Sequence, residues 1–309
     1  MELDNSGANE FRRCPLLFQE GRLAEGTGLE QIPFGNEVTP LQLGSRVHEL
    51  LEEYYRELQG NPRNPYPESN NAVLETEAQI IMAAYRSKYP QENFKILDVE
   101  RPFRVGLPVL CKRCYTLTEK EVLPGFCNQC GDSFAANESG RHIYTGKIDV
   151  MYEENGELFV MDHKTEKRRS NSNRPQKWAA KDQATLYLWA ARQIYKKPIS
   201  KVVINILKRP SDKFQEGPIF PDRQRLERTD EQIKIALRDF VFICDEVERY
   251  KKVFENTYWP SNREECDSGW GQCPFYLPHT YGWSEDMRQL KYQPRTSYLE
   301  LGGIPIIQP

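Results

Sequence analysis

Apolar residues recur along the chain first at helical spacing, then at alternating spacing, then at helical spacing again. From Leu41 to Gln59, Val47, Leu50, Leu51, Tyr54 and Leu58 fall on one face, which predicts an amphipathic helix. Asn61-Pro62-Arg63-Asn64-Pro65 stops it, because proline lacks an amide donor and restrains the residue before it. A second helix is predicted from Val73 to Lys88, ending at Tyr89-Pro90. The pattern then becomes extended, with strands expected in Phe94 to Val109, His142 to Tyr152 and Glu157 to Lys164. An amphipathic helix over Lys177 to Tyr195 follows, then a strand over Lys201 to Leu207 and a long helix over Asp230 to Phe254. In that last helix Cys244 shares an apolar stripe with Phe240 and Val247 and reads as core. Residues 1 to 40 are rich in Gly, Pro and Asn around one apolar island, Cys14 to Phe18, those from Ser284 onward read as mostly irregular, and no internal repeat is present. This order predicts a mixed α/β domain with one insertion, residues 111 to 130, between two of its strands.

Composition narrows the class. The 309 residues are 39% hydrophobic and 11% aromatic, enough for a sizeable core and for one or two domains. No apolar run approaches the roughly 20 residues of a membrane span, so no membrane is expected as a partner. Lys and Arg number 42 against 45 Asp and Glu, a net charge of -3 that excludes a globally basic coat but not a local patch. The sequence from Met1 to Pro15 lacks the apolar stretch of a secretory signal, which points to the cytoplasm. In a reducing compartment the eight cysteines should serve metal before disulfide.

The candidate chemistry begins at Asn155-Gly156, a strong hairpin signal because both residues accept positive φ. With those two as the loop, paired positions keep a constant sum, so Glu154 faces Glu157 and Asp149 faces Asp162. Their Cβ atoms would lie roughly 4.5–5.5 Å apart on one face, which Lys164 shares by alternation. Two carboxylates so close need a positive charge between them, and Mg²⁺ or Mn²⁺ suits carboxylate oxygen. A metal, a water and an ammonium are what phosphodiester hydrolysis requires. The competing reading is an exposed hairpin with scattered charges. Against it, Ile148, Val150, Phe159, Val160 and Met161 flank the acids on both sides. Gln183 and Tyr187 share one face of the following helix, a weak signal alone. The connection before it carries Lys167, Arg168, Arg169, Arg174 and Lys177 against Glu166. That run is either a solvated loop or a clamp for nucleic-acid phosphates.

Cys111, Cys114, Cys127 and Cys130 follow a C-x2-C-x12-C-x2-C pattern, the spacing of two knuckles that present four thiolates to Zn²⁺. Gly125 and Gly131 are expected to make the tight turns. Four protein ligands make the site structural, a zinc ribbon protruding from the sheet toward DNA or a protein partner.

Gly146-Lys147-Ile148-Asp149, Asp162-His163-Lys164 and Gln183-x3-Tyr187, with Leu43 to Leu51 and Val99-Glu100-Arg101 before them, resemble the PD-(D/E)XK nuclease superfamily. The likeness is to its RecB-type branch, which includes the exonucleases of CRISPR adaptation, and spans roughly residues 10 to 280. It implies a restriction-endonuclease-like core, a central mixed sheet flanked by helices. It also implies that Asp149, Asp162 and His48 bind metal, with the His163 carbonyl as a further oxygen ligand. Lys164 would be the catalytic lysine, and Gln183 and Tyr187 would position substrate or that lysine. Glu100 is the expected acid of the preceding strand, with Asp98 able to take its place. His48 follows the buried Val47, so capping the edge of the core is its alternative role. Many RecB-type nucleases hold a [4Fe–4S] cluster by one N-terminal and three C-terminal cysteines. Cys14, Cys266 and Cys273 match three of those positions and His279 is the nearest stand-in for the fourth, so an iron–sulfur cluster, a zinc ion or an empty remnant are the alternatives. Residues 1–40 are then expected to pack near the C-terminal cysteines, 41–283 to form the nuclease core, 110–131 its ribbon insertion and 284–309 a tail. The expected activity is that of a Mg²⁺- or Mn²⁺-dependent deoxyribonuclease, most simply an exonuclease. The alternative is a catalytically silent nucleic-acid-binding or scaffold protein.

Overall fold

A computed structural model describes residues 1–26, 28–32, 38–111, 113–118, 127, 129–132, 142–166, 180–210, 217–268, 271–295 and 304–308. The described strands are β1 (Glu2–Leu3), β2 (Leu29–Gln31), β3 (Lys95–Gly106), β4 (Val109–Leu110), β5 (Leu117–Thr118), β6 (Ile143–Glu154), β7 (Glu157–Glu166), β8 (Lys201–Lys208), β9 (Gln224–Glu227), β10 (Asp267–Ser268), β11 (Gly271–Gln272) and β12 (Tyr292–Pro294). The α-helices are α1 (Asn5–Arg13), α2 (Pro15–Phe18), α3 (Pro40–Gln59), α4 (Ala72–Lys88), α5 (Asp182–Tyr195), α6 (Asp230–Val253), α7 (Tyr276–Tyr281) and α8 (Glu285–Lys291). The chain forms two compact units, one of Met1–Phe34, Arg104–Gly146 and Lys234–Pro309, the other of Gly35–Phe103 and Lys147–Ile233.

The second unit holds the acidic residues. Asn155 (φ 53°) and Gly156 (φ 80°) turn β6 into β7 in the predicted two-residue loop, and the register runs from Glu154 opposite Glu157 to Val150 opposite Met161. β7 continues through α5 to the parallel β8, with Asp162 beside Ile204 and His163 beside Asn205. β9 is antiparallel to β8, and β3 pairs with β6, which makes the central sheet mixed. Helices α3 and α4 cover it with Val47, Leu51, Tyr54, Ile81 and Tyr85, packed on Val150, Met161 and Val203. Helix α3 starts at a capping box, in which the Thr39 hydroxyl and the Gln42 side chain each accept from the other's backbone N–H. Pro40 sits where its missing donor costs nothing, and Gly60 closes the helix at φ 78°.

The first unit brings together both ends of the chain. β1 runs parallel to the start of β6, α1 is capped by Asp4, and β2 pairs antiparallel with β12. Phe240, Cys244 and Val247 are fully buried, as their shared stripe predicts. Two expectations need correction. The helix expected from Lys177 begins at Asp182, because Lys181 is extended and serves as its N-cap, while 167–179 lie outside the described residues. Residues 284–294 form a helix and a strand rather than an irregular stretch, since the Ser284 hydroxyl accepts from the Met287 N–H and two acids favour the first turn of α8. Residues 1–40, read only as Gly-, Pro- and Asn-rich around one apolar island, contain α1 and α2, whose apolar side chains are too few to reveal themselves by periodicity.

Candidate active site

Three elements far apart in sequence converge on one point of the second unit. His48 on α3, Glu100 on β3 and Asp149 on β6 each offer a ligand atom, and all three atoms lie within 4.8 Å of one another. His48 Nδ1 is 3.7 Å from a Glu100 oxygen and 3.7 Å from an Asp149 oxygen. Gly44, one turn before His48, lets α3 approach β7, since a Cβ there would lie 3.1 Å from the Thr165 hydroxyl. Glu100 occupies the left-handed region at φ 50°, an uncommon conformation for a glutamate. This interrupts the alternation of β3. Asp98, expected on the same face, instead accepts from the Tyr195 hydroxyl, while Glu100 is buried beside His48.

Burial and charge oppose one another here. Asp149 is 7% exposed, and its carboxyl is pushed up to about 7 by burial, against the pull of His48 and with the repulsion of Glu100 and Asp162. Burial works against the His48 imidazolium, but Asp149 and Glu100 outweigh it and raise that group to about 9. Burial likewise opposes a charged Glu100, yet His48 and Lys147 hold its carboxyl below the usual range. The Lys147 ammonium lies directly against Glu100. An imidazole and two carboxylates that already draw in a lysine fit a hard divalent cation.

Asp162 and Lys164 stand beside this group. Asp162 is buried, and the Lys164 ammonium lies 2.7 Å from both its carboxylate oxygens. Asp162 is not one of the three residues within 4.8 Å, but its charge acts on Asp149. The His163 N–H donates to Asp149 at 2.7 Å. Gln183 donates to the Tyr187 hydroxyl at 3.2 Å on α5. Arg168 and Arg169 lie outside the described residues. Sequence reasoning passed over Lys147 and Gly44. A small residue one turn before the histidine was the readable signal for the second.

In the first unit, the Cys111, Cys114, Cys127 and Cys130 sulfurs also lie within 4.8 Å of one another. Two matched turns carry them. Tyr115 N–H donates to Cys111 O and Cys111 N–H to Thr116 O, just as Gly131 N–H donates to Cys127 O and Cys127 N–H to Asp132 O. The residue after each second cysteine is left-handed, Tyr115 at φ 56° and Gly131 at φ 71°. Tyr115 therefore shapes the first knuckle and Gly131 the second, as expected of it, while Gly125 lies outside the described residues. Cys14 and Cys273 are buried in one apolar cluster, with Cys266 packed against it. With His279 they form no group within 4.8 Å, and both His279 nitrogens are buried without a hydrogen-bond partner among the described residues. None of the eight cysteines is in a disulfide. Among the described residues, no helix is long and apolar enough to cross a membrane.

A family model described as the PD-(D/E)XK nuclease superfamily matches residues 5–276. No curated protein matches the chain. Among solved structures the chain is similar to one described as "Crystal structure of SSO0001", at 12% identity over 80% of this chain and 86% of that one, with a TM-score of 0.33.

Proposed function

The chain belongs to the PD-(D/E)XK nuclease superfamily, and on that premise we propose that it is a RecB-type, Mg²⁺- or Mn²⁺-dependent deoxyribonuclease that degrades DNA from an end. The observation that carries this reading is the convergence of His48, Glu100 and Asp149, with Lys164 held beside them on Asp162. Those three residues would hold the ion, and Asp162 would complete the acidic set. When bound, the ion polarises a phosphate and lowers the pKa of a water. The remaining work falls to the chain. Asp149 is fixed by the His163 N–H, so its carboxylate is oriented before substrate arrives. Lys164 places a positive charge where it can orient a water or meet charge developing on a phosphate oxygen. Gln183 and Tyr187 would hold the strand, and Arg168 and Arg169 would grip its phosphates. Zn²⁺ in the cysteine knuckles would be structural, with the ribbon offered to DNA or a protein partner. Eight thiols outside disulfides favour a reducing, cytoplasmic setting. The set at Cys14, Cys266, Cys273 and His279 is left without an assigned [4Fe–4S] cluster or ion.

The test uses end-labelled single- and double-stranded DNA with Mg²⁺ or Mn²⁺. Lys164→Ala and Asp149→Asn should each slow cleavage by about 10²–10³-fold while the melting temperature holds. Wild-type protein that binds DNA and cuts it under no divalent ion would overturn this reading in favour of a silent binding protein.

A further inference from the structure

A neutral imidazole carries one proton on one of two nitrogens, and a buried chain of hydrogen bonds decides which nitrogen of His163 holds it. His163 lies between Asp162 and Lys164 on β7, but alternation turns its ring to the opposite sheet face. There it is 1% exposed, stacks on Tyr55 of α3 at 5.4 Å and meets the His48 ring edge-on at 5.9 Å. Its backbone N–H grips Asp149. One residue thus touches two of the three members of the acidic group.

Glu92, clamped by Arg223 at 2.6 and 2.8 Å, accepts hydrogen bonds. The Tyr55 hydroxyl, 3.0 Å from Glu92, donates its single proton there rather than to the Met161 sulfur at 3.7 Å, a weak acceptor. The Tyr85 hydroxyl lies 2.7 Å from that of Tyr55, whose proton is already used, so Tyr85 is the donor between them. The Tyr85 oxygen then only accepts, from Arg223 at 2.9 Å and from Asn205 at 2.9 Å. Asn205 must therefore turn its NH₂ toward Tyr85, because a flipped amide would set two acceptors against each other. That same nitrogen lies 2.8 Å from His163 Nδ1. Nδ1 accepts, and the ring proton is on Nε2, which is buried with no hydrogen-bond partner among the described residues. The two tyrosines, Asn205 and His163 are at most 1% exposed, so water does not compete with this order.

The geometry points to His163 as a positioning residue for the metal site, its Nε2–H tautomer and ring pose dictated from Glu92 through Tyr55, Tyr85 and Asn205. Remote partners of this kind orient metal ligands at several centres. The consequence for the metal rests on the cation site proposed above, whereas the tautomer does not. Four histidines make selective ¹⁵N labelling tractable. In the full-length wild-type protein at neutral pH, long-range ¹H–¹⁵N correlation should show His163 protonated on Nε2 and bare on Nδ1. Asn205→Asp, which places an acceptor against Nδ1, should move the proton to Nδ1 and weaken Mn²⁺ binding about 10–100-fold by calorimetry. Tyr85→Phe is the milder variant. It removes the group that orients the amide, and should weaken Mn²⁺ several-fold with circular dichroism unchanged. A wild-type His163 protonated on Nδ1 overturns the assignment. A folded Tyr85→Phe with unaltered Mn²⁺ affinity overturns the positioning role. Wild-type protein that takes up no Mn²⁺ sinks the cation-site reading, and the positioning role with it, while the spectrum still decides the tautomer.

Discussion

The cysteine knuckles and the His48–Glu100–Asp149 group are both sets of ligand atoms drawn within 4.8 Å, yet the chain assembles them in opposite ways. The four cysteines lie within 20 residues of sequence, on two short turns whose equivalent hydrogen bonds are all local. The acidic group needs α3, β3 and β6, and so exists only once the second unit has folded. Its burial also pushes the Asp149 carboxyl up to about 7, a cost that a bound cation would offset. A local set of soft thiolates makes a site for a structural ion. A remote set of charges held against burial is where chemistry is expected.

The largest effect that could break this contrast is crossed loss. Cys127→Ser should drop zinc content from about one ion per chain to near zero and expose residues 111–132 to protease, because four-thiolate sites do not survive on three. The same variant should keep Mn²⁺ binding, which Asp149→Asn should lose while retaining zinc. Elemental analysis and calorimetry on both proteins decide it. If Cys127→Ser also loses Mn²⁺, the two sites are one cooperative assembly and the distinction fails.

The same contrast explains what the sequence disclosed. The cysteine spacing carried its own geometry, and Asn155-Gly156 fixed the β6–β7 register to the residue, since a two-residue turn leaves no freedom. Asp98 and Glu100 could not be separated by alternation. Only the positive φ at Glu100, which the fold imposes, sends one carboxylate to His48 and leaves the other with Tyr195. The tyrosine–asparagine chain behind His163 was equally illegible, because its members come from α3, α4, β7 and β8 and share no local pattern.

A smaller effect tests the scaffold that presents His48. Arg46 on α3 donates to Glu75 on α4 at 2.8 and 3.0 Å, and this contact, against burial and with help from Ser69 and Gln79, holds the Glu75 carboxyl down to about 2. A depressed folded-state value adds stability that is complete above the unfolded value near 4.5 and disappears as pH falls through about 2. On the order of 2–3 kcal/mol should go in that window. Glu75→Gln should therefore lower stability at pH 7 and flatten the acid limb of denaturant midpoint against pH. An unchanged limb would mean that α3 is held by its apolar face alone.

The smallest effect lies inside the knuckles. Tyr115 and Gly131 occupy equivalent left-handed positions, but the tyrosine side chain is 54% exposed and its Cβ opposes the conformation its turn demands. Glycine accepts that region freely while losing more freedom on folding, so the two terms nearly cancel. Tyr115→Gly should therefore raise stability by no more than about 1 kcal/mol in thermal unfolding of the zinc-loaded protein. Gly131→Ala, which imposes a side chain on the same turn, should cost about 1 kcal/mol. If Tyr115→Gly instead destabilises by more than Gly131→Ala, the ring makes contacts that stabilise the folded ribbon. The two knuckles would then be unequal partners, one shaped by backbone freedom and the other by its side chain.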